Sequence, residues 1–295
     1  MNDMQAPGLV GVLGGGRMGA GIAHAFLLAG SHVAVVERDA AAAAGARARI
    51  DEYVRRSAER DEALDPAEIT ARLTVGTDVT AFSDRTLVIE AVPEDRTLKR
   101  ESLRQAERAL DPSAVLASNT SSISIDDLAS TTERPERFLG LHFFNPVPAS
   151  ALVEIVLGER TDPALADRAR QWVGALRKTP IVVRDSPGFA SSRLGVALGL
   201  EAIRMLEEGV ASASAIDAAM TLGYRHPTGP LRTTDIVGLD VRLEIAEELS
   251  ATLGPRFNPP ALLRRMVADG RLGRKSGEGF YTWNDESGAG AGNGR

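Results

Sequence analysis

The chain has 295 residues, 43% of them hydrophobic and 25% charged, with a formal net charge of −6. That length allows two domains and a sizeable core, and the acidic balance without a basic stripe argues against a nucleic-acid binder. The sequence has no cysteine, which excludes disulfides, thiolate metal sites and a cysteine nucleophile. No apolar run approaches the roughly 20 residues of a membrane-spanning helix, so a cytoplasmic protein without membrane partners is expected.

The first apolar run, Leu9 to Leu13, gives way to Gly14-Gly15-Gly16-Arg17-Met18-Gly19 and then to helical spacing. A Gly-x-Gly-x-x-Gly between a strand and a helix points to dinucleotide binding. The first glycine permits the tight turn, the second lets the backbone approach a pyrophosphate, and the third lets the helix pack close, with the phosphates at its N-terminus. A second strand, Val33 to Val36, ends on Glu37, placed to accept both ribose hydroxyls of an adenosine. An Ala-, Arg- and Glu-rich insert over residues 40–72 reads as a helical pair projecting from the sheet. Further strands are expected at Thr86–Ala91, Ala114–Ser118, Leu139–Phe144, Leu152–Val156 and Ile181–Val183. Strands alternating with helices predict an α/β, Rossmann-type domain over residues 1–185 with a mostly parallel sheet.

At Asp185-Ser186-Pro187-Gly188 the pattern changes, with Pro187 suited to open a new helix. Residues 186–286 read as an all-helical second domain, with helices near 189–209, 212–222, 238–253 and 260–269. Turns are expected at Gly229-Pro230 and Pro259-Pro260, and one short strand at Gly279–Trp283. The tail, 287–295, is Gly- and Ala-rich and expected to be disordered.

Two segments carry candidate chemistry. Ser118-Asn119-Thr120-Ser121-Ser122 follows a strand end, where open α/β sheets bind ligands. His142 and Glu154 each interrupt an apolar β run, and the turn-rich Asn145-Pro146-Val147-Pro148 joins the two. Neighbouring strands would bring them together as a general base held by a carboxylate. Spacing alone leaves open the plainer arrangement, with Glu154 facing solvent at a strand edge and His142 a half-buried structural residue. The other histidines, His24, His32 and His226, lack ligand spacing, so no metal site is expected.

Seven blocks then occur in a telling order: Gly14 to Ala23, Glu90-Ala91-Val92-Pro93-Glu94, Ser118 to Ser122, His142-Phe143-Phe144-Asn145-Pro146-Val147, Asp185 to Phe189, Gly229-Pro230-Leu231-Arg232, and Gly273 to Tyr281. Together, over about Gly8 to Trp283, they resemble the 3-hydroxyacyl-CoA dehydrogenase family, particularly its short bacterial 3-hydroxybutyryl-CoA members. The resemblance implies NAD-dependent, reversible oxidation of an (S)-3-hydroxyacyl-CoA. In it His142 is the base, Glu154 its orienting carboxylate, and Ser121 a contact of the substrate's 3-oxygen beside the nicotinamide ribose. It also implies NAD contacts from Glu37, Glu94, Lys99, Asn145 and Lys275, and a homodimer joined through the helical domain. Without it, Glu94 and Lys99 read as a helix-end acid and a solvated lysine.

One position departs from the family pattern. After Pro187-Gly188-Phe189 the family has Asn-Arg, whereas this chain has Ser192-Arg193, which puts the substrate in question more than the reaction. A relative acting on a sugar acid or pyridine carboxylate is the alternative, and a dinucleotide-binding protein without turnover a more distant one. Arg55, Arg56 and Arg60 suit CoA phosphates or, equally, a solvated helix face.

Overall fold

In the computed structural model, residues 5–283 are described, so the tail over 287–295 lies outside the described residues. They divide into two compact units, one running to Phe189 and the other starting at Ala190.

The first unit is built on one eight-stranded sheet: β1 (Leu9–Leu13), β2 (His32–Val36), β3 (Leu73–Gly76), β4 (Leu87–Glu90), β5 (Val115–Ser118), β6 (Phe138–Phe143), β7 (Leu152–Leu157) and β8 (Thr179–Arg184). Their order is β3-β2-β1-β4-β5-β6-β7-β8, the doubly wound arrangement in its first six strands. Those six run parallel, β7 is antiparallel to β6, and β8 runs with β7. The strand order reverses between β1 and β4, opening a crevice at their carboxyl ends.

Helices cover both faces. α1 (Arg17–Leu28) is buried along most of its length and shares one core with Val10, Val12, Val33, Leu139 and Ile155. The 40–72 insert does not project. α2 (Ala40–Ala58) is capped by Asp39, which accepts from Ala42 N, and it turns Ala43, Ala46, Ile50 and Val54 inward. Those side chains recur at helical spacing and belong to the same core as α1, so the insert is the crossover carrying the chain from β2 to β3. α3 (Pro66–Thr70) completes it. Arg55 and Arg56 pair with Glu52 on the exposed side of α2, as on a solvated helix face. On the other side of the sheet, α4 (Arg96–Ala109) and α5 (Ile125–Ala129) bury Leu103, Ala106, Ile125 and Leu128 against Val88, Leu116 and Phe138. α6 (Ala164–Ala175) lies beside β7 and β8.

Pro187 does not open a helix. Gly188 and Phe189 both adopt positive φ (72° and 49°), and the next helix starts at Ser191. Phe189 is 5% exposed in the second core of the first unit, which is why this unit continues past Asp185.

The second unit holds α7 (Ser191–Glu207), α8 (Ala213–Gly223), α9 (Pro230–Val237), α10 (Leu239–Leu253) and α11 (Ala261–Ala268) around a core of Val196, Leu200, Ile203, Leu231, Leu239 and Leu263. Where a turn was expected at Gly229-Pro230, α9 begins, with Pro230 in its first turn. Gly279–Trp283 is no strand but a segment with isolated bridges, because buried Asp235 holds it. That carboxylate accepts from Phe280 N (2.9 Å), Tyr281 N (2.9 Å) and Trp283 Nε1 (2.8 Å). Asp217 likewise accepts from Leu231 N, Arg232 N and the Tyr281 hydroxyl, and Arg232 stacks on Tyr281 and Trp283. The Gly229-Pro230-Leu231-Arg232 and Gly273–Tyr281 blocks are therefore tied together structurally.

Candidate active site

The parallel register brings the sequence-marked residues of the first unit to one edge of the sheet. Leu13 pairs with Glu90, Glu90 with Ser118, and Ser118 with Gly140. His142 lies two residues further along β6, directly opposite Glu154 on the antiparallel β7.

The glycine turn fits a dinucleotide. Gly14 has φ of 92°, with Ala91 and Val92 backbone 3.0 Å from where a β-carbon would stand. A β-carbon on Gly19 would meet the Gly14 carbonyl oxygen at 1.8 Å, whereas Gly16 faces open space, so a phosphate can approach the backbone at the start of α1. Arg17 is exposed and Met18 half-buried beside it. Glu37 accepts from Gly15 N at 2.7 Å and from Arg38 N at 3.1 Å, setting a carboxylate at the end of β2 against the turn. Beyond it a cavity of about 390 Å³ opens among Ala40, Ala43, Ala44, Arg47 and the end of β3.

Glu94 and Lys99 share one network at the carboxyl ends of the strands. Lys99 is 1% exposed, and its ammonium donates to Glu90 Oε1 (2.7 Å) and the Val92 carbonyl (3.1 Å), with Glu94 Oε2 at 3.3 Å. These contacts engage its ammonium within a buried network. Glu94 Oε1 accepts from Thr120 Oγ1 (2.6 Å), Ser121 N (2.9 Å) and Ser122 N (3.1 Å), and from the Ser121 hydroxyl (3.2 Å). It shapes the loop that presents Ser121. Burial opposes ionisation of Glu94, but the Lys99 charge and these hydrogen bonds outweigh it and hold its carboxyl below the usual range. Glu90, fully buried, is pushed up by that burial.

Sequence reasoning missed Glu90 and Ser118 as a unit. Glu90 Oε2 accepts from Ser118 Oγ at 2.6 Å, and Oε1 from Val92 N at 2.7 Å. The available signal was an acid closing an apolar run. Asn119 has no role legible in the sequence, but its Oδ1 accepts from Phe143 N at 2.8 Å, fixing the serine loop to the strand that carries His142.

His142 and Glu154 resolve the open choice in favour of a pair. Nδ1 and Glu154 Oε2 are 2.7 Å apart, with His142 6% exposed and Glu154 fully buried. An ionised carboxylate only accepts, so Nδ1 carries the proton and Nε2 is left with a lone pair. Nε2 has no hydrogen-bond partner among the described residues. Phe144 and Phe189 flank the imidazole, with ring centroids at 4.5 and 5.8 Å, and this apolar surround strengthens the attraction between the pair. Asn145 is exposed, just past the pair, and its bond to Pro146 is cis. Ser192 and Lys275 belong to the second unit, where Lys275 pairs with Asp240 on α10.

Residues 9–186 match the model of the 3-hydroxyacyl-CoA dehydrogenase NAD-binding domain, and residues 188–283 that of the family's C-terminal domain. The chain belongs to the 3-hydroxyacyl-CoA dehydrogenase family. A 3-hydroxybutyryl-CoA dehydrogenase of Mycobacterium tuberculosis is 45% identical over 285 residues, covering 93% of this chain and 98% of that one. The crystal structure of M. tuberculosis FadB2 superposes with a TM-score of 0.89 at 44% identity, over 95% of this chain and 100% of that one. The (S)-3-hydroxybutyryl-CoA dehydrogenase PaaH1 of Ralstonia eutropha gives 0.90 at 39% identity, with the same coverage. As a family member the chain is an NAD-dependent oxidoreductase. Among the described residues no cluster of metal-ligating side chains occurs, and no helix is long and apolar enough to cross a membrane.

Proposed function

We propose that the protein interconverts an (S)-3-hydroxyacyl-CoA and the 3-ketoacyl-CoA, with His142 as the base. The observation that carries this is the buried Nδ1–carboxylate contact, which leaves Nε2 as an acceptor on the cofactor edge of the sheet. In the oxidative direction Nε2 takes the proton of the substrate hydroxyl, and Glu154 stabilises the imidazolium that results. NAD, when bound, accepts the hydride from C3. Gly14 to Gly19 would hold its pyrophosphate, Glu37 its adenosine ribose, and the small-residue cavity beside α2 its adenine. Ser121 would hold the 3-oxygen: its hydroxyl can turn from Glu94, which keeps its bonds from Thr120 and two backbone amides. Glu94, Lys99, Asn145, beside the base, and Lys275 are the remaining candidates for cofactor contact, and Ser192, in the place of the family's Asn, is assigned to the substrate.

The test is steady-state turnover with acetoacetyl-CoA and NADH beside a panel of sugar acids. A kcat/KM for acetoacetyl-CoA below about 10³ M⁻¹s⁻¹, under the usual enzyme range, would overturn the acyl-CoA reading.

The finer assignments are a homodimer and a cytoplasmic location, where CoA thioesters and NAD are at hand. The dimer reading is supported by the apolar surface of the second unit, where Leu194, Val210, Leu222 and Tyr224 are 60–82% exposed, more than an isolated domain usually leaves in water. Light scattering that returned the mass of one chain at every concentration would overturn it.

A further inference from the structure

The turn that joins β6 to β7 is held from two sides. Of its residues, Phe144 to Ala151, only Val147 is buried, at 2% exposure. Val147 packs against α1 at Gly21, where an added β-carbon would stand 2.8 Å from its own. The other hold is Lys178, whose ammonium donates to the Val147 carbonyl (2.6 Å) and to that of Ser150. Just ahead of β8, the Lys178 main chain is fixed in turn by its N–H, which donates to the Val173 carbonyl (3.2 Å) near the end of α6.

A lysine is a costly choice for this place. Unlike Lys99, which is paired with Glu90, Lys178 makes no ion pair among the described residues, and burial pushes its ammonium below the usual lysine range. A half-buried cation without a carboxylate is unfavourable, and two main-chain carbonyls offset that only in part. What the charge gives in return is two strong hydrogen bonds to one turn. That turn is also fixed at its other end, because His142 is paired with Glu154 in the ladder. Phe144 and Asn145 lie between the two fixed points. Phe144 packs on the imidazole at 4.5 Å between ring centroids, and Asn145 is exposed next to it in the chain. Moving Val147 would therefore move both.

We infer that Lys178 is a positioning residue for the reaction: by holding the Val147 and Ser150 carbonyls, it sets where Phe144 and Asn145 stand against the base. This deepens the proposed function and rests on the role of His142 in it. Lys178 acts through the turn and not on the reacting atoms. A misplacement of about 1 Å at a reacting centre costs up to about a hundredfold in rate, so two hydrogen bonds remote from the imidazole bear on kcat.

The experiment compares the wild type with Lys178→Met, which keeps the apolar stem and removes the donors, and Lys178→Arg, which supplies donors again. In turnover of acetoacetyl-CoA with NADH, Lys178→Met is expected to lower kcat by about ten- to a hundredfold, with the thioester KM changed less than about threefold. Lys178→Arg should recover most of that loss. A second readout needs no turnover. The chain has four histidines, so NMR of histidine-labelled protein gives few ring signals, and the one lost in His142→Gln belongs to His142. Because the Phe144 ring lies against it, its shift reports where the turn sits. Lys178→Met should move this signal and Lys178→Arg return it, with those of His32 and His226 unmoved. Gly21→Ala leaves the ammonium in place but presses on Val147, so it should move the same signal, and it serves if Lys178→Met does not fold. A lower unfolding midpoint in Lys178→Met with kcat and the His142 signal unchanged would overturn the inference and leave the lysine a structural tie. So would a loss of kcat with an unmoved His142 signal. A wild type that fails to turn over acetoacetyl-CoA would overturn the acyl-CoA reading alone, since the histidine signals still decide the role of Lys178.

Discussion

Two buried ion-pairing groups sit on the same edge of the sheet, and they do different work. Lys99 has three donors, and Glu90, Glu94 and a carbonyl take all of them. His142 has two ring nitrogens, and Glu154 takes one. Both arrangements satisfy the rule that a buried charge needs a partner. Only the second leaves an atom over for a substrate. The lysine network holds two strand ends and the serine loop in place; the histidine pair can move a proton. The difference lies in valence, since an imidazole can be anchored through one nitrogen and act through the other.

Four experiments would break or sharpen this contrast. The largest effect is expected from His142→Gln, which should lower kcat by about 10²- to 10⁴-fold, the range for a lost general base, with the unfolding midpoint and NAD affinity nearly unchanged. Turnover at the wild-type rate would remove His142 from its role. Lys99→Met should do the reverse. It strands Glu90 and Glu94 and should cost about 3–5 kcal/mol in urea unfolding, while kcat of the folded enzyme falls far less than in His142→Gln. A proton-transfer defect without a stability loss would mean that the two groups have been assigned the wrong way round.

His24 sharpens the point, being a buried histidine with no carboxylate. Its Nε2 meets the Ser57 hydroxyl at 2.9 Å, its Nδ1 has no partner, and burial, aided by the Lys178 charge, lowers its pKa to about 4. The unfolded chain takes up this proton near pH 6.5, the folded one only near pH 4. Stability is therefore unaffected above pH 6.5 and declines as pH falls from 6.5 to 4, by up to about 3 kcal/mol. Thermal melts across that range should show the slope in the wild type and a flatter one in His24→Gln. The smallest effect is expected from Ser118→Ala, which removes one donor from Glu90 and should cost about 1–2 kcal/mol in the same urea titration.

The strands that carry the site were legible because each is an uninterrupted apolar run bounded by turn residues. β3 was not. It has four residues, Leu73-Thr74-Val75-Gly76, and only Leu73 is buried, so no run announces it. α9 was hidden by its own start signal, since Gly229-Pro230 reads as a turn until Pro230 is seen to occupy the first helical position, where its missing N–H costs nothing. Pro187 misled in the opposite sense, because the positive φ of Gly188 and Phe189 cannot be inferred from the residue types alone. In the site, His142 and Glu154 were visible as polar breaks in apolar strands, but their pairing was one of two options. The Lys99 network was invisible for a stricter reason: Glu90, Ser118 and the start of α4 meet only once β4 and β5 are adjacent and in register.

The Asp235 clamp has a consequence for how the chain is made. Asp235 is fully buried, yet its three partners, Phe280, Tyr281 and Trp283, lie 45 to 48 residues downstream. On the ribosome α9 emerges with this acid uncovered, and it stays so until translation has passed Trp283. The first unit can complete its sheet while synthesis continues, because all eight of its strands precede Phe189. The helical unit has to wait for Trp283 before the Asp235 clamp can close.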